Sequence, residues 1–181
     1  MVHDYIKQYD VMSSYVCDQL ISAFEGAGGL VHRNEGPMDF HELNINQHEP
    51  DAVRPLAGVL GRALTMYKAE VPSSQYLPSF RTLEEFRVKR YTGGTSQQFA
   101  DHVDIGDATS CRRALAFLFY LNDRFTGGET VFYGTEDKVI TPRKGSVVVF
   151  PPTWQYPHAG LPVTSGTKYI MSSYLSYDSI S

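Results

Sequence analysis

The chain has only two cysteines in 181 residues, Cys17 and Cys111. Two thiols so far apart form neither a disulfide framework nor a cysteine-rich zinc site. Both adjoin apolar sequence, so each is expected as a buried free thiol in a reducing compartment. Long apolar runs are also missing. The longest, around 114–121 and 147–152, fall well short of the ~18 residues that a membrane span needs. The opening Met1-Val2-His3-Asp4-Tyr5 has no positive region followed by an apolar stretch, so no secretory signal is expected and the expected location is cytoplasmic. Basic residues are in deficit: 16 Lys and Arg stand against 20 Asp and Glu, a net charge of −4. A chain that gripped duplex nucleic acid through its phosphates would carry the opposite balance. Neither a membrane nor duplex nucleic acid is an expected partner.

What is present suits one packed domain over 1–181. Hydrophobic residues make up 42% and aromatics 13%, which excludes a disordered chain. The character of the sequence changes near residue 80, dividing a helix-rich supporting part (1–80) from a β-rich core (81–181). In the first part, Val16, Leu20, Ile21 and Phe24 form an apolar stripe at helical spacing. This predicts a helix over Tyr15–Glu25, capped by Ser13 or Ser14 and stopped by Gly26, Gly28 and Gly29. A second stripe, Val53, Leu56, Leu60, Ala63, Leu64 and Tyr67, predicts a helix over Ala52–Glu70 with Pro72 just beyond it. Asp39–Asn46 reads as a short strand between them.

From residue 85 on, short β-rich runs follow one another. They are Phe86–Tyr91, Gln98–Val103, Arg113–Leu121, Thr130–Tyr133, Lys138–Ile140, Ser146–Phe150, Gln155–His158 and Thr167–Tyr177. Gly, Pro and Asn-Asp turn signals separate them. Strands at this spacing, without helices between them, predict a mainly β fold with N-terminal helices. The spacing suggests a sandwich or a double-sheet barrel such as a jelly roll, and of these the expected architecture is a double-stranded β-helix (jelly-roll) core with the helices packed on one sheet.

Six histidines are present. His3, His32, His41 and His48 have no partner at a ligand spacing and are expected on the surface or at caps. His102-Val103-Asp104 stands at a predicted strand end, where residues two apart face the same way. Such a pair alone is most often a surface ion pair of little worth. His158, after the apolar run Val147–Phe150, adds a second imidazole. Two His and one carboxylate on adjacent antiparallel strands match the facial triad of non-haem Fe(II) oxygenases, although zinc uses the same donors. Lys168 then enters the apolar strand Tyr169-Ile170-Met171. A lysine there is costly unless paired, so it either snorkels at the strand end or meets the carboxylate of an anionic co-substrate at the metal.

Arg87 to Tyr177 resembles the 2-oxoglutarate- and Fe(II)-dependent oxygenases, specifically the prolyl 4-hydroxylase-like group. The shared pieces begin with Arg90-Tyr91-x-Gly93-Gly94, His102-x-Asp104, Arg113 and Tyr120-Leu121-Asn122. Phe125-x-Gly127-Gly128-Glu129-Thr130, Pro142-x-x-Gly145, His158-x-Gly160-x-x-Val163 and Gly166-x-Lys168-Tyr169 follow in order. The resemblance implies that His102, Asp104 and His158 hold iron. It implies that Lys168 pairs with the far carboxylate of 2-oxoglutarate, that Tyr120 helps through its hydroxyl, and that Tyr91 lies near the co-substrate or substrate. A threonine often stands where this chain has Ala116; Thr167 offers a nearby hydroxyl, but on a regular strand it faces the opposite way from Lys168. Trp154, the only tryptophan, is expected either in the core or as a wall of the substrate cleft, where a proline ring could stack. Glu129 matches a family residue and is expected to fix its loop through hydrogen bonds, and Arg113 is expected to pair with an Asp or Glu.

The implied activity is hydroxylation of a prolyl residue in a peptide or protein, using O2 and decarboxylating 2-oxoglutarate to succinate and CO2. The metal centre carries the chemistry, so no acid–base catalytic side chain is expected; ascorbate is the expected reductant. The alternatives are the same chemistry on a free amino acid, on another protein side chain or in nucleic-acid dealkylation, and a non-catalytic jelly-roll binding module. Dealkylases favour arginine at the Lys168 position, and a halogenase would lack Asp104. On the triad alone a zinc hydrolase also remains.

Overall fold

The computed structural model describes residues 2–28, 30–77 and 82–177. Gly29 and the expected change of character at residue 80 lie outside these. The N-terminal part contributes strand β1 (Lys7–Asp10), helix α1 (Ser14–Gly26), β2 (Val31–Glu35) and β3 (Met38–Asn44). The short helix α2 (Ile45–His48) and the long α3 (Pro50–Glu70) follow. Next come β4 (Thr82–Leu83), β5 (Arg87–Thr92), β6 (Gln98–His102), β7 (Arg113–Tyr120), β8 (Thr126–Gly127) and β9 (Thr130–Phe132). The remainder is β10 (Lys138–Ile140), β11 (Ser146–Phe150), β12 (His158–Gly160), β13 (Val163–Ser165) and β14 (Thr167–Ser176).

Antiparallel pairing runs β1-β11-β7-β14-β5-β3-β6-β12-β9-β10, one curled sheet that brings β6 and β12 over its own inner face. This is the expected jelly roll. Period-2 alternation sorts each central strand between two cores. On β7, Leu115, Phe117 and Phe119 face the helices, while Ala116 and Tyr120 face inward. On β11, Val147 and Val149 face the helices, and Val148 and Phe150 face inward. Leu20 and Phe24 of α1 and Leu56, Leu60, Ala63 and Tyr67 of α3 pack against the first face, so both helices cover one side of the sheet. The Ser13 hydroxyl caps α1 by accepting from Val16 N–H.

Several expectations need correction. Gln155–His158 is not a strand: Tyr156 N–H closes a turn on Thr153 O, and pairing starts only at His158. Pro151, Pro152 and Pro157 lack the N–H groups that a ladder needs. β1 and β2 went unpredicted because their polar sequences, Lys-Gln-Tyr-Asp and Val-His-Arg-Asn-Glu, carry no apolar alternation. Cys17 is buried as expected, but Cys111 is exposed on the turn before β7. Both are free thiols. No helix among the described residues is long and apolar enough to cross a membrane.

Candidate metal centre and its cavity

His102 at the end of β6 and His158 at the start of β12 are direct cross-strand partners. Asp104, two residues past His102, reaches back between them. Its Oδ1 lies 3.6 Å from His102 Nε2 and its Oδ2 3.8 Å from His158 Nε2. One donor atom from each residue falls within 4.8 Å of the others. Both rings are held from behind: His102 Nδ1 donates to Ala100 O at 2.7 Å and His158 Nδ1 to Tyr156 O at 3.1 Å. A carbonyl can only accept, so each neutral ring carries its proton on Nδ1 and presents a bare Nε2 lone pair to the centre. His102 Nε2 is buried without a hydrogen-bond partner.

The surroundings favour an ionised Asp104 and a neutral His158. Burial alone would raise the Asp104 carboxyl, but the neighbouring His158 and His102, with the Tyr174 hydroxyl donating at 2.9 Å, hold it well below the usual carboxylate range. Burial lowers His158 against the pull of Asp104. Ionised carboxylate and neutral imidazoles are the donors a divalent metal requires, and the orphaned Nε2 is the kind of atom a metal would satisfy. Three donors on one side leave the opposite side open, as in the facial triad. Aromatic rings enclose them. Phe99 stacks on His102 with centroids 3.5 Å apart, and Phe150 meets His158 edge-on at 5.0 Å.

The cavity beside this cluster is lined by Tyr91, Ala116, Thr130, Phe150, Gly160 and Lys168, among others. Lys168, 2% exposed on β14, ends in it. Its Nζ donates to Gly128 O at 2.6 Å. Burial brings this lysine down to about 7, opposed by Glu129. Gly128 must be glycine here: its φ is +70°, and a Cβ would sit 3.2 Å from Lys168 Cδ and 3.0 Å from Val163 Cγ2. The Tyr120 hydroxyl donates to Thr130 Oγ1 at 2.7 Å, and Tyr91 presents a buried, unpartnered hydroxyl. Lys168 lies opposite Tyr91 in the β5–β14 register, its Nζ 5.4 Å from the tyrosine ring centroid.

Five of the residues singled out from the sequence as metal or co-substrate ligands, His102, Asp104, His158, Lys168 and Tyr91, therefore line one cavity. Tyr120, buried in the adjoining core, reaches it through Thr130. Trp154 stands elsewhere: it is 76% exposed on the turn before β12, and it lines neither this cavity nor a neighbouring groove formed by Arg33, Glu42, Arg87 and Asp104, among others. Ala116 does face the cavity, and the hydroxyl near it comes from Thr130 rather than Thr167, whose strand neighbour Lys168 points inward. Arg113 pairs with Glu84 at 2.8 Å and donates to Asp104 O at 2.9 Å, so it braces the loop that carries Asp104. His32 pairs with Asp39 at 2.9 Å and stacks on His41. The residues missed from sequence are Thr130, Tyr174 and Lys89. All three meet the site only across strands, and local spacing carries no sign of that.

Known proteins share this arrangement of strands. A solved structure of a viral collagen prolyl hydroxylase from Paramecium Bursaria Chlorella virus-1, complexed with 2OG, superposes with a TM-score of 0.72 at 24% identity. The match covers 96% of this chain and 97% of that one. A Trichoplax adhaerens prolyl hydroxylase in complex with a hypoxia inducible factor peptide fragment gives a TM-score of 0.78 at 14% identity, covering 96% and 84%. Among curated proteins, the "Putative prolyl 4-hydroxylase" of Acanthamoeba polyphaga mimivirus is 32% identical over 114 residues, 53% of this chain. The match spans about half of that relative's length, 46%. Residues 86–176, which contain all three candidate metal donors and Lys168, match the family described as the 2OG-Fe(II) oxygenase superfamily. With half of its length matched and the donors and the buried lysine gathered in one jelly-roll cavity, the chain belongs to the 2OG-Fe(II) oxygenase superfamily.

Proposed function

We propose that the chain is an Fe(II)- and 2-oxoglutarate-dependent dioxygenase that hydroxylates a prolyl residue in a peptide or protein. The observation that carries this reading is the pair of oriented imidazoles and one carboxylate opening onto a cavity whose buried cation is Lys168. His102, Asp104 and His158 are the residues that would hold the iron. Lys168 would receive the far carboxylate of 2-oxoglutarate. The metal's two positive charges, set against one negative charge from Asp104 and two from the dianion, leave one negative charge that Lys168 neutralises. When bound, iron and 2-oxoglutarate supply the oxidising power, with one oxygen atom of O2 going to substrate and the other to succinate as CO2 leaves.

The residues around the cluster have defined work in this scheme. The backbone carbonyls of Ala100 and Tyr156 keep each Nε2 free for the metal. Tyr174 orients Asp104. Phe99, Phe132 and Phe150 crowd the two imidazoles and exclude water from them. Tyr91, with its unpartnered hydroxyl, and Thr130, held by Tyr120, offer polar atoms to the co-substrate. A proline as substrate is supported by the curated relative's name and by the two prolyl hydroxylase folds.

The test is mass spectrometry on a panel of proline-containing peptides incubated with Fe(II), 2-oxoglutarate, ascorbate and O2. The expected product gains about 16 Da, one oxygen atom, on proline. Oxidation of another residue or substrate class, with proline peptides and free proline untouched, would overturn the substrate assignment and leave the oxygenase chemistry in place.

A further inference from the structure

A second lysine is buried at the site, and nothing in the scheme above uses it. Lys89 on β5 is 7% exposed and lines the same cavity as the metal cluster. It stands opposite Ile170 on β14, two residues from the Lys168–Tyr91 pair, so the two lysines share a face about 7 Å apart along the strands. They look to different neighbours. Lys168 is held by Gly128 O and feels Glu129. Lys89 lies on the Asp104 side and stands opposite Glu42 in the β3–β5 register; burial pushes it below its ordinary value, Glu42 and Asp104 pull against that, and Arg113 and Arg87 add to the push. Its Nζ rests over the rings of Phe40 and Phe99, at 5.2 and 5.3 Å from their centroids. Among the described residues it makes no hydrogen bond and no ion pair. The aromatic contacts hold the cation in place and leave its N–H groups unused.

Lys89 also lines the groove of ≈ 260 Å³ that leads outward past Asp104, which Lys168 does not. Three arginines in that groove are already matched. Arg33 and Arg87 both reach Glu42, at 3.3 and 2.8 Å; Arg87 also meets Glu85, and Arg113 pairs with Glu84. With Asp104 committed to a divalent metal, four cations face three carboxylates there, and Lys89 is the cation left over. A buried ammonium whose neighbouring carboxylates are engaged by other partners is costly, and a ligand carboxylate would relieve it.

We propose that Lys89 is a specificity residue that takes a carboxylate of the substrate, held close to the carbon being oxidised. This assignment rests on the reading of His102, Asp104 and His158 as the iron site. The carboxylate could come from an acidic side chain next to the target residue in a peptide, or from the α-carboxylate of a free amino acid.

The experiment measures equilibrium binding to protein loaded with Fe(II) and 2-oxoglutarate in the absence of O2. Three acid–amide pairs serve as probes: a Glu-Pro against a Gln-Pro peptide, a Pro-Glu against a Pro-Gln peptide, and L-proline against L-prolinamide. At least one acid is expected to bind roughly 10- to 100-fold more tightly than its amide, and the pair that does so identifies the source. Lys89→Gln should bring that ratio to within about twofold, and Lys89→Arg should keep most of it. Equal binding of acid and amide in every pair, or no binding of any probe, would overturn the assignment. So would a Lys89→Gln variant that weakens 2-oxoglutarate binding while keeping the acid preference. If Lys89→Gln does not fold, the wild-type acid-to-amide ratios and Lys89→Arg decide. Succinate release by the wild type in O2 is read separately. If it is present while acids and amides bind alike, only the Lys89 assignment fails; if it is absent, the iron reading fails and takes this one with it.

Discussion

His102 and His158 face each other across the β6–β12 pair with ring centroids 4.3 Å apart, and Asp104 lies within 4 Å of both Nε2 atoms. Strand pairing, rather than a flexible loop, thus sets the spacing of two of the three donors. Removing either imidazole leaves two donors, so His102→Ala and His158→Ala are expected to lower bound iron from about one per chain to near zero. Asp104→Ala should do the same unless an added anion fills its place. Metal analysis after desalting checks this, and stoichiometric iron in His158→Ala would remove His158 from the ligand set.

Lys168→Met keeps the stem among its neighbours and deletes the charge. Loss of a charge-assisted hydrogen bond in a buried site costs about 2–4 kcal/mol, so 2-oxoglutarate affinity should fall roughly 30- to 1000-fold. Iron should still bind, since Lys168 is not a donor. Tyr120→Phe frees the Thr130 hydroxyl from its 2.7 Å partner and should give a smaller loss in the same direction. An anaerobic titration measures both, and an unchanged affinity in Lys168→Met would leave that lysine without a role in co-substrate binding.

The pH dependence of co-substrate binding follows from the same lysine. Burial lowers Lys168 to about 7 from an ordinary 10.5. Between those values the unfolded chain holds a proton that the folded one lacks, so ligand-free stability rises with pH through this window and is lowest below it. A dianion beside Lys168 favours the ammonium and must draw that proton back. The affinity for 2-oxoglutarate should therefore weaken above pH 7, approaching tenfold per unit, with proton uptake visible by calorimetry in buffers of different ionisation enthalpy. Lys168→Met should flatten the profile, and a flat wild-type profile would contradict the account.

Gly145 supports the sheet from the far side. Its φ is +86°, and a Cβ there would collide with the backbone oxygen of Met12. Its carbonyl accepts from Val11 N–H and Met12 N–H, and its N–H donates to Tyr120 O. Gly145→Ala should cost roughly 2–4 kcal/mol, lowering Tm by about 5–15 °C. Gly94→Ala serves as the control: its φ is +73° but nothing lies within 4 Å of the added methyl, so about 1 kcal/mol is expected. Thermal denaturation of both variants checks the difference.

The strands that are apolar on both faces, such as Arg113–Tyr120 and Ser146–Phe150, were legible because each is a short apolar run that serves two buried faces. Helix α3 was legible for the matching reason at helical period. The sequences of β1 and β2 are polar, and their place is set by backbone pairing with β11 and β3, which leaves no mark on composition. The cluster of candidate donors was legible because His102 and Asp104 are local neighbours and the downstream motifs place His158 and Lys168. Lys89 was not. In Arg-Val-Lys-Arg-Tyr the polar positions look like a solvent face, yet the inner face of β5 borders a cavity, and the lysine is buried there. Thr130 and Tyr174 were missed for a similar reason, since their partners Tyr120 and Asp104 come from other strands and loops.

The most direct test of the central claim is succinate formation from 2-oxoglutarate by the purified protein in O2, with and without Fe(II), for the wild type and for His158→Ala. The account predicts succinate from the wild type only when Fe(II) is supplied, and none above background from the variant. Iron-independent succinate, or undiminished succinate from His158→Ala at equal iron, would contradict it.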